Sequence, residues 1–461
     1  MRKLLLPLFI ISLFAMQTKA QVRIQSMSKS KADKQNYPPD WAYVSNIYEV
    51  NIRQYTPEGT IEAFRKHLPR LKNMGVDILW LMPVQPIGKE KRKGSKGSYY
   101  SISDYMAVNP EFGSMEDFIR MVDDAHVLGM KVILDWVANH TAFDHYWTKT
   151  QTDFYVRDAQ GNIKSPVDDW SDVADLNYDN QELRKAMIRN MKFWVNAADI
   201  DGFRCDVAFM VPTDFWQDAR RQLEAEKPGL FMLAEAEDKA LHDRAFDMSY
   251  GWEFHHLAVD IAKGKKNADS LRTYLKKVKE TWPPNAFHMY FTDNHDENSW
   301  NKTSYERFGK SLEAFSVLTF ALPGMPLIYS GQEAANNKVI KFFEKDTIDF
   351  KSFPLEMFYT KLTKLKSTNP ALMHGERGGS MIEIPNGADA SVMSFFRKKD
   401  DSKILFIFNL SNKDQKINLN SPELSGLASD SFGLDTKPAP LTDKMSLKLK
   451  PWEFKVYNYS K

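Results

Sequence analysis

Short apolar runs alternate along the chain with longer segments in which apolar residues recur every three or four positions. The runs predict buried parallel strands, and the longer segments predict amphipathic helices between them. This alternation is typical of an α/β fold, and eight strands of this kind predict a closed (β/α)8 barrel. The eight runs are Ile47–Ile52, Val76–Met82, Lys131–Val137, Asp201–Val207, Leu230–Ala234, Arg244–Met248, Phe287–Thr292 and Met325–Tyr329.

Helical spacing is clearest in three of the segments between the runs. Thr60–Met74, Met115–Leu128 and Gln181–Ala197 each place their apolar residues on one face. Gly75 and Gly129 follow the first two segments, at the position where a helix commonly ends in a glycine. The sequence therefore predicts one helix over each segment.

Two regions depart from the alternation. Residues 140–180 are rich in Asp, Asn, Thr and Trp with little periodicity, which predicts a short subdomain inserted after the third strand. Beyond Asn369 the pattern changes to short strands of alternating apolar and polar residues. We therefore expect the barrel domain over residues 39–369 and a C-terminal all-β sandwich over residues 370–461.

The amino terminus has the pattern of an export signal. Arg2 and Lys3 precede the apolar run Leu4–Met16, and Thr18–Ala20 follows as a cleavage site. The run is shorter than the roughly 20 residues that a membrane-spanning helix needs, which disfavours a retained anchor. We expect a signal peptide over residues 1–20, a polar leader over residues 21–38, and export to the periplasm or the medium.

Composition narrows the range of partners. The 461 residues include 62 Lys plus Arg and 60 Asp plus Glu, a net charge of +2. Without a strong positive field, neither a nucleic acid nor an anionic membrane surface is an expected partner. The single cysteine, Cys205, excludes an intramolecular disulfide, so the core alone must stabilise an exported protein. The sequence leaves the oligomeric state open.

The fourth predicted strand carries the first candidates for chemistry. Arg204 and Asp206 are two residues apart and therefore point to the same side, whereas Cys205 points to the other. Such a buried pair is either a stabilising salt bridge or a guanidinium that holds Asp206 ionised, as a nucleophilic carboxylate requires.

Other predicted strands also end in polar residues. Glu235 follows the next strand with no cation beside it in the sequence, which suits either a general acid or a solvated loop residue. Two more strands run into the clusters Asp135–His140 and Asp293–Asp296. Because the carboxyl ends of barrel strands form the catalytic face, we expect these side chains to converge. Two carboxylates flanking a glycosidic bond are the usual apparatus for sugar hydrolysis.

Competing hydrolase chemistries find less support. His255 and His256 lack the spacing of zinc ligands on a helix. The chain has no Gly-x-Ser-x-Gly elbow, and Cys205 faces away from Asp206. Aromatic residues make up 13% of the chain, which suits stacking on sugars but is more often a property of the core.

Four ordered motifs resemble those of glycoside hydrolase family 13, the α-amylase family, and the resemblance extends over residues 40–458. The motifs are DWVANH (Asp135–His140), GFRCDVA (Gly202–Ala208), MLAEAE (Met232–Glu237) and TDNHD (Thr292–Asp296). A further segment, YYSISDYMAVNPEFGSMEDF, is similar to the family segment that carries a stacking tyrosine.

The resemblance implies a role for each matched residue. Asp206 would be the nucleophile, Glu235 the general acid/base, and Asp296 the third carboxylate, which binds hydroxyls of the distorted sugar. Arg204 would orient Asp206. The residues implied to bind the sugar before the scissile bond are His140, His295 and, by stacking, Tyr100.

The chain departs from the family pattern after Ala208. Phe209 and Met210 stand where typical calcium-dependent α-amylases carry a Lys and a His, so both the acceptor-side contacts and a usual calcium ligand are in question. Asn139 and Asp175 are plausible oxygen ligands, but two are too few for calcium. We expect no cofactor for the chemistry and leave a structural calcium open.

The expected function is retaining hydrolysis of α-1,4-glucosidic bonds in starch, maltodextrins or related α-glucans, as in an α-amylase. The alternative is a transglycosylase or isomerase with the same triad, because water and a sugar hydroxyl compete for one intermediate. A non-catalytic carbohydrate-binding protein is disfavoured by the three retained carboxylates. We expect a low pKa for Asp206 and a raised one for Glu235. The basic segment Lys89–Gly94 favours a solvated loop over a binding patch.

Overall fold

The computed structural model describes residues 38–433 and 436–460. The predicted signal peptide and nearly all of the predicted leader lie outside the described residues. Export and cleavage after Ala20 therefore stay predictions. No described helix combines the length and the apolar character that crossing a membrane requires.

Eight parallel strands close into a barrel in which each strand pairs with its neighbours in the chain, and the last pairs with the first. This confirms the predicted (β/α)8 architecture. The strands are Ile47–Val50 (β1), Ile78–Leu81 (β2), Lys131–Trp136 (β3), Gly202–Cys205 (β4), Phe231–Ala234 (β5), Met248–Tyr250 (β6), Phe287–Tyr290 (β7) and Met325–Tyr329 (β8).

Helices occupy every interval between strands except that between β5 and β6, where the described residues form only the 3₁₀ turn Lys239–His242. The α-helices are Ile52–Tyr55, Ile61–Arg65, Leu68–Met74, Met115–Val127, Trp147–Thr150, Gln181–Ala198, Thr213–Glu226, Trp252–Ala262, Ala268–Thr281, His295–Trp300, Ser304–Phe308, Leu312–Ala321 and Glu356–Thr368.

Two predicted elements differ from the structure. The single helix expected over Thr60–Met74 is two helices, because Pro69 has no amide hydrogen to donate to the carbonyl of residue 65. The sixth strand, expected over Arg244–Met248, begins only at Met248. Arg244 has a φ of 62°, which is incompatible with a strand, and the apolar residues after it belong to a buried turn.

Alternation along the strands divides the barrel core into two layers. Inward residues such as Ile47, Ile133 and Leu233 fill the barrel, whereas outward residues such as Tyr48 and Cys205 pack against the helices. Inward positions at the carboxyl ends of the strands hold polar side chains instead, and these build the site described below.

The segment between β3 and the helix Gln181–Ala198 contains a small antiparallel ladder. His140–Ala142 pairs with Val173–Asp175, so His140 lies opposite Asp175. This ladder holds residues 143–172 above the carboxyl end of the barrel, beside the loop that follows β2, where the Ser101 hydroxyl donates to the carbonyl of Asp172 over 3.0 Å.

The C-terminal residues form two antiparallel sheets, as expected of a sandwich. The larger sheet has six strands, Ser380–Glu383, Val392–Lys399, Ser402–Asn409, Gly426–Asp430, Ala439–Leu441 and Phe454–Tyr459, and the smaller pairs Gln415–Asn420 with Lys444–Leu449. One face of the larger sheet packs on the smaller through Phe396, Leu405 and Ile417. Its other face, including Phe395 and Phe406, continues the core of the barrel.

Two buried basic side chains bind carbonyls near the end of the helix Leu312–Ala321, and one of them, Arg397, joins the barrel to the C-terminal region. Arg397, on the larger sheet, donates from Nη1 to the carbonyl of Ala321 over 2.8 Å, and Lys366 donates from Nζ to that of Gly324 over 2.9 Å. These carbonyls lie at and just beyond the end of the helix Leu312–Ala321, where the helix dipole is negative. The helix end therefore supplies the counter-charge for Arg397, whereas burial lowers the pKa of Lys366 well below its ordinary value.

Candidate active site

Strand register builds the floor of the site. Glu49 on β1 pairs with Trp80 on β2, and Asp135 on β3 pairs with Arg204 on β4. All four are inward positions near the carboxyl ends of their strands and are fully buried. The closed barrel therefore brings polar groups from four strands into one layer.

Arg204 is the centre of this layer. Its Nη1 donates to Asp135 Oδ1 over 2.9 Å and to Asp206 Oδ1 over 3.1 Å, and its Nη2 lies 3.0 Å from Glu235 Oε2. Its Nε donates to the Tyr250 hydroxyl over 3.1 Å. The same-side prediction for Arg204 and Asp206 is confirmed. Glu235 has no cation beside it in the sequence, and the pairing of β4 with β5 supplies Arg204.

Burial controls the ionisation of Asp206. Desolvation raises the pKa of this carboxyl to about 6, and the Arg204 guanidinium opposes the rise. The expectation of a low pKa for Asp206 is therefore wrong, since the sequence revealed the guanidinium but not the depth of burial or the nearby Asp135. At neutral pH the carboxyl is still mainly ionised.

Glu235 has a higher affinity for a proton than Asp206 has. Desolvation, reinforced by the nearby charges of Asp206 and Asp296, raises the pKa of Glu235 to about 8, as its proposed acid role requires. The Val207 amide donates to Glu235 Oε2 over 2.8 Å. Val207 has a φ of 36°, a left-handed conformation that is rare for a β-branched residue and is maintained by the packing around it.

His295 forms a second charged network. Its Nδ1 lies 2.5 Å from Glu49 Oε1, and its Nε2 lies 2.7 Å from the Tyr100 hydroxyl and 3.3 Å from Asp296 Oδ2. Burial lowers the pKa of His295, but Asp296 and Glu49 outweigh burial and raise it to about 9. A protonated imidazole therefore stands between the two carboxylates at neutral pH.

His140 has the opposite charge state. Burial lowers its pKa to about 3, so the imidazole is neutral and can accept or donate a hydrogen bond. Its ring meets that of Trp170 edge to face with 5.7 Å between centroids. The ring of Tyr100 is parallel to that of Phe342 within 9°.

A cavity of about 510 Å³ opens above these groups. All six of the predicted catalytic and binding residues other than the deeper Arg204 line it, namely Tyr100, His140, Asp206, Glu235, His295 and Asp296. The volume is that of a small-molecule site, and the mixture of aromatic faces with carboxylates suits a sugar.

Comparison with known proteins agrees with this arrangement. A family model described as the α-amylase catalytic domain matches residues 21–171 and 167–361. The chain belongs to the α-amylase family, glycoside hydrolase family 13. It is thus a family 13 glycosidase.

Individual relatives of this α-amylase-family chain differ in activity. An α-amylase of Haloarcula japonica is 25% identical over 400 residues, covering 83% of this chain and 57% of that protein, so the chain spans little more than half of that relative. A trehalose-6-phosphate hydrolase of Bacillus subtilis is 28% identical over 384 residues, which cover 65% of this chain and 66% of that protein. A noncanonic maltogenic α-amylase of Thermotoga neapolitana, whose structure is solved, is 30% identical in sequence. The two structures superpose with a TM-score of 0.82 over 91% of this chain and 100% of that one.

The calcium site that the family resemblance left open has a poor donor set. The Asn139 amide nitrogen lies 3.3 Å from His140 Nδ1, and Asp175 faces the Lys164 ammonium. Within residues 38–433 and 436–460, no group of three or more His, Cys, Asp or Glu side chains could hold a metal ion. Calcium takes six to eight oxygen ligands, which Asn139 and Asp175 do not provide.

Several residues of this α-amylase-family site were missing from the sequence-based set. Asp135 begins a recognised motif and accepts hydrogen bonds from Trp80 and Tyr100 as well as Arg204. Glu49 carried no signal beyond an acidic residue inside an apolar run, which is itself unusual for a buried strand. Lys93, expected in a solvated loop, instead lines the cavity.

Proposed function

We propose that this family 13 glycosidase is a retaining hydrolase of α-1,4-glucosidic bonds in starch, maltodextrins or related α-glucans. One observation carries the proposal. A single guanidinium, that of Arg204, contacts both Asp206 and Glu235, while their pKa values are raised unequally, to about 6 and about 8. Neutral pH therefore supplies one ionised carboxylate and one protonated carboxylic acid in the same cavity, the pair that a retaining mechanism needs.

In the first step, Asp206 attacks the anomeric carbon while Glu235 donates its proton to the glycosidic oxygen. The bond to the leaving sugar breaks, and a covalent glycosyl-enzyme forms. In the second step, water attacks the same carbon, Glu235 takes its proton, and the bond to Asp206 breaks. Two inversions return an α-configured product.

The remaining groups have matching tasks in this proposal. Asp296 and protonated His295 bind hydroxyls of the reacting sugar, neutral His140 adds a hydrogen bond, and the ring of Tyr100 stacks on the sugar face. The α-amylases among the relatives support an α-glucan substrate.

A second candidate, transglycosylation, is favoured by Phe209. This ring follows the nucleophile by three residues and is 63% exposed. The family resemblance assigns this position to the acceptor side, where an exposed aromatic face would stack on a sugar acceptor but offers nothing to water. A sugar hydroxyl would then compete with water in the second step.

Proton NMR of the enzyme mixed with maltoheptaose tests both candidates. Shorter sugars whose new ends are first α-anomeric support the retaining hydrolase. Longer products without a net gain of reducing ends would make the enzyme a transferase. An initial β-anomer would refute the double displacement, and an unchanged spectrum would refute the assigned substrate.

A further inference from the structure

The loop that follows β2 is fastened to the segment inserted after β3. Lys93 Nζ lies 3.4 Å from Asp172 Oδ1 and also donates to the carbonyl of Asp169. The Lys89 amide donates to Asp144 Oδ2 over 2.8 Å. These contacts close the gap between the two loops on one side of the cavity.

The same loop is fastened on its other flank to the loop that follows β8. The Lys96 amide donates to the carbonyl of Phe343 over 2.9 Å, and the Ser95 amide donates to Glu344 Oε1 over 3.0 Å. Buried Arg53 donates to the carbonyls of Gly97 and Lys96 over 3.0 and 3.1 Å, which fixes the end of the loop.

Aromatic contacts extend this wall to the helix that follows β7. The ring of Trp300 lies 5.2 Å from that of Phe342 and 5.8 Å from that of Phe343, measured between centroids. Trp300, Phe342 and Phe343 all line the cavity. A continuous rim, here named the loop wall, therefore runs from Asp169 through Lys93 and Phe343 to Trp300.

The position of Glu235 shows which end of the substrate meets the loop wall. Glu235 follows β5, and the leaving sugar must depart past the acid that protonates its oxygen. The loops that follow β8, β1 and β2 lie across the barrel mouth from β5. The sugars that stay bonded to Asp206, which extend toward the non-reducing end of the chain, therefore face the loop wall.

The loop wall also presents polar groups that suit sugar hydroxyls. Asp172 is 4% exposed and lines the cavity, and its Oδ2 has no hydrogen-bond partner among the described residues. A buried acceptor without a partner is costly, and a hydroxyl donor would satisfy it. Lys93 beside it is a donor that faces the same space.

We propose that the loop wall closes the non-reducing side of the cavity and that Lys93 and Asp172 bind the hydroxyls of the terminal sugar. This inference rests on the proposed function. It makes the enzyme exo-acting: the chain enters by its non-reducing end, and each turnover releases the same short product.

The test compares two forms of p-nitrophenyl maltoheptaoside, one with a free non-reducing end and one whose terminal glucose carries a 4,6-O-ethylidene block. Chromatography follows the products from the earliest times. We expect one short maltooligosaccharide from the free form and cleavage of the blocked form slower by about 100-fold or more, because the block removes two hydroxyls and adds bulk at the wall. Equal rates on the two forms would overturn the inference while leaving the proposed hydrolase intact.

Variants locate the selectivity. Lys93→Met and Asp172→Asn should each raise KM for the free form several-fold with little change in kcat. Each should also reduce the ratio of the cleavage rates of the free and blocked forms by about tenfold. Lys96→Met is the matched control, because Lys96 Nζ lies on the same loop but pairs with Glu111 at 3.1 Å. Selectivity unchanged in both variants would refute the roles of Lys93 and Asp172. Failure of the wild type to cleave either form would instead refute the proposed function.

Discussion

Glu49→Gln removes one of the two carboxylate charges that stabilise protonated His295, the other being that of Asp296. Glu49 is fully buried on β1 and does not line the cavity, so it acts on substrate only through the imidazole. Glutamine keeps an oxygen to accept the hydrogen bond from His295 Nδ1 and removes only the negative charge. The variant therefore tests whether that charge keeps the imidazole protonated.

The expected size follows from the 2.5 Å contact between His295 Nδ1 and Glu49 Oε1. Because both charges are delocalised beyond the two contacting atoms, their centres are taken as about 4 Å apart. At an effective dielectric constant of about 20, two such unit charges interact by about 4 kcal/mol, or about three pKa units. Removing the Glu49 charge should lower the pKa of His295 from about 9 by about three pKa units, while Asp296 continues to raise it and burial continues to lower it. Because the folded-state pKa is raised, this contribution to stability is complete below about pH 6.5 and is lost as the pH rises through about 9.

Urea unfolding of both proteins, followed by tryptophan fluorescence, measures this contribution. The free energy of unfolding of the wild type should exceed that of Glu49→Gln most at pH 6, and the difference should shrink by about 3 kcal/mol by pH 9.5. Glu313→Gln, at an exposed position on the helix Leu312–Ala321, is the control and should follow the wild type at every pH. A difference between wild type and Glu49→Gln that does not change with pH would refute the reasoning.

Three further predictions concern catalysis and domain packing. The value of kcat/KM should fall below about pH 6 as Asp206 is protonated and above about pH 8 as Glu235 loses its proton, and a flat profile between pH 5 and 9 would contradict these roles. Asp206→Asn should lower kcat by about 10⁴-fold or more while maltoheptaose still binds in calorimetry, so substantial residual turnover would exclude Asp206 as nucleophile. Arg397→Met should lower the free energy of unfolding by about 3 kcal/mol in urea, because the carbonyls of Ala321, Gly379 and Met373 lose their guanidinium donor, and an unchanged midpoint would show that these contacts are dispensable.

The sequence was most informative where the two-residue alternation of a strand determines the side to which each side chain points. Two-residue alternation on β4 placed Arg204 and Asp206 on one side and Cys205 on the other, and the ion pair at 3.1 Å confirms it. Eight apolar runs predicted the barrel correctly, although the sixth was displaced because Phe246 packs in a buried turn rather than in a strand.

The contacts that tune the site could not be predicted in this way. His295 and Glu49 are separated by 246 residues, and only closure of the barrel brings them together. The pKa of Asp206 depends on how much water the surrounding loops exclude, which no local pattern describes. Lys93 belongs to a segment of basic residues that resembles any solvated loop, and its role depends on a partner in the inserted segment.

The shared seam between the barrel and the C-terminal sheets limits how the protein can be shortened. A fragment ending at residue 369 would lack Arg397 and the larger sheet. It would expose the apolar barrel surface against which Phe395 and Phe406 pack. Such a fragment should collect in the insoluble fraction on expression. The sandwich therefore completes the hydrophobic core of the catalytic domain. Removing it by gene truncation or proteolysis, as if it were a separate sugar-binding module, would remove part of the enzyme's own core.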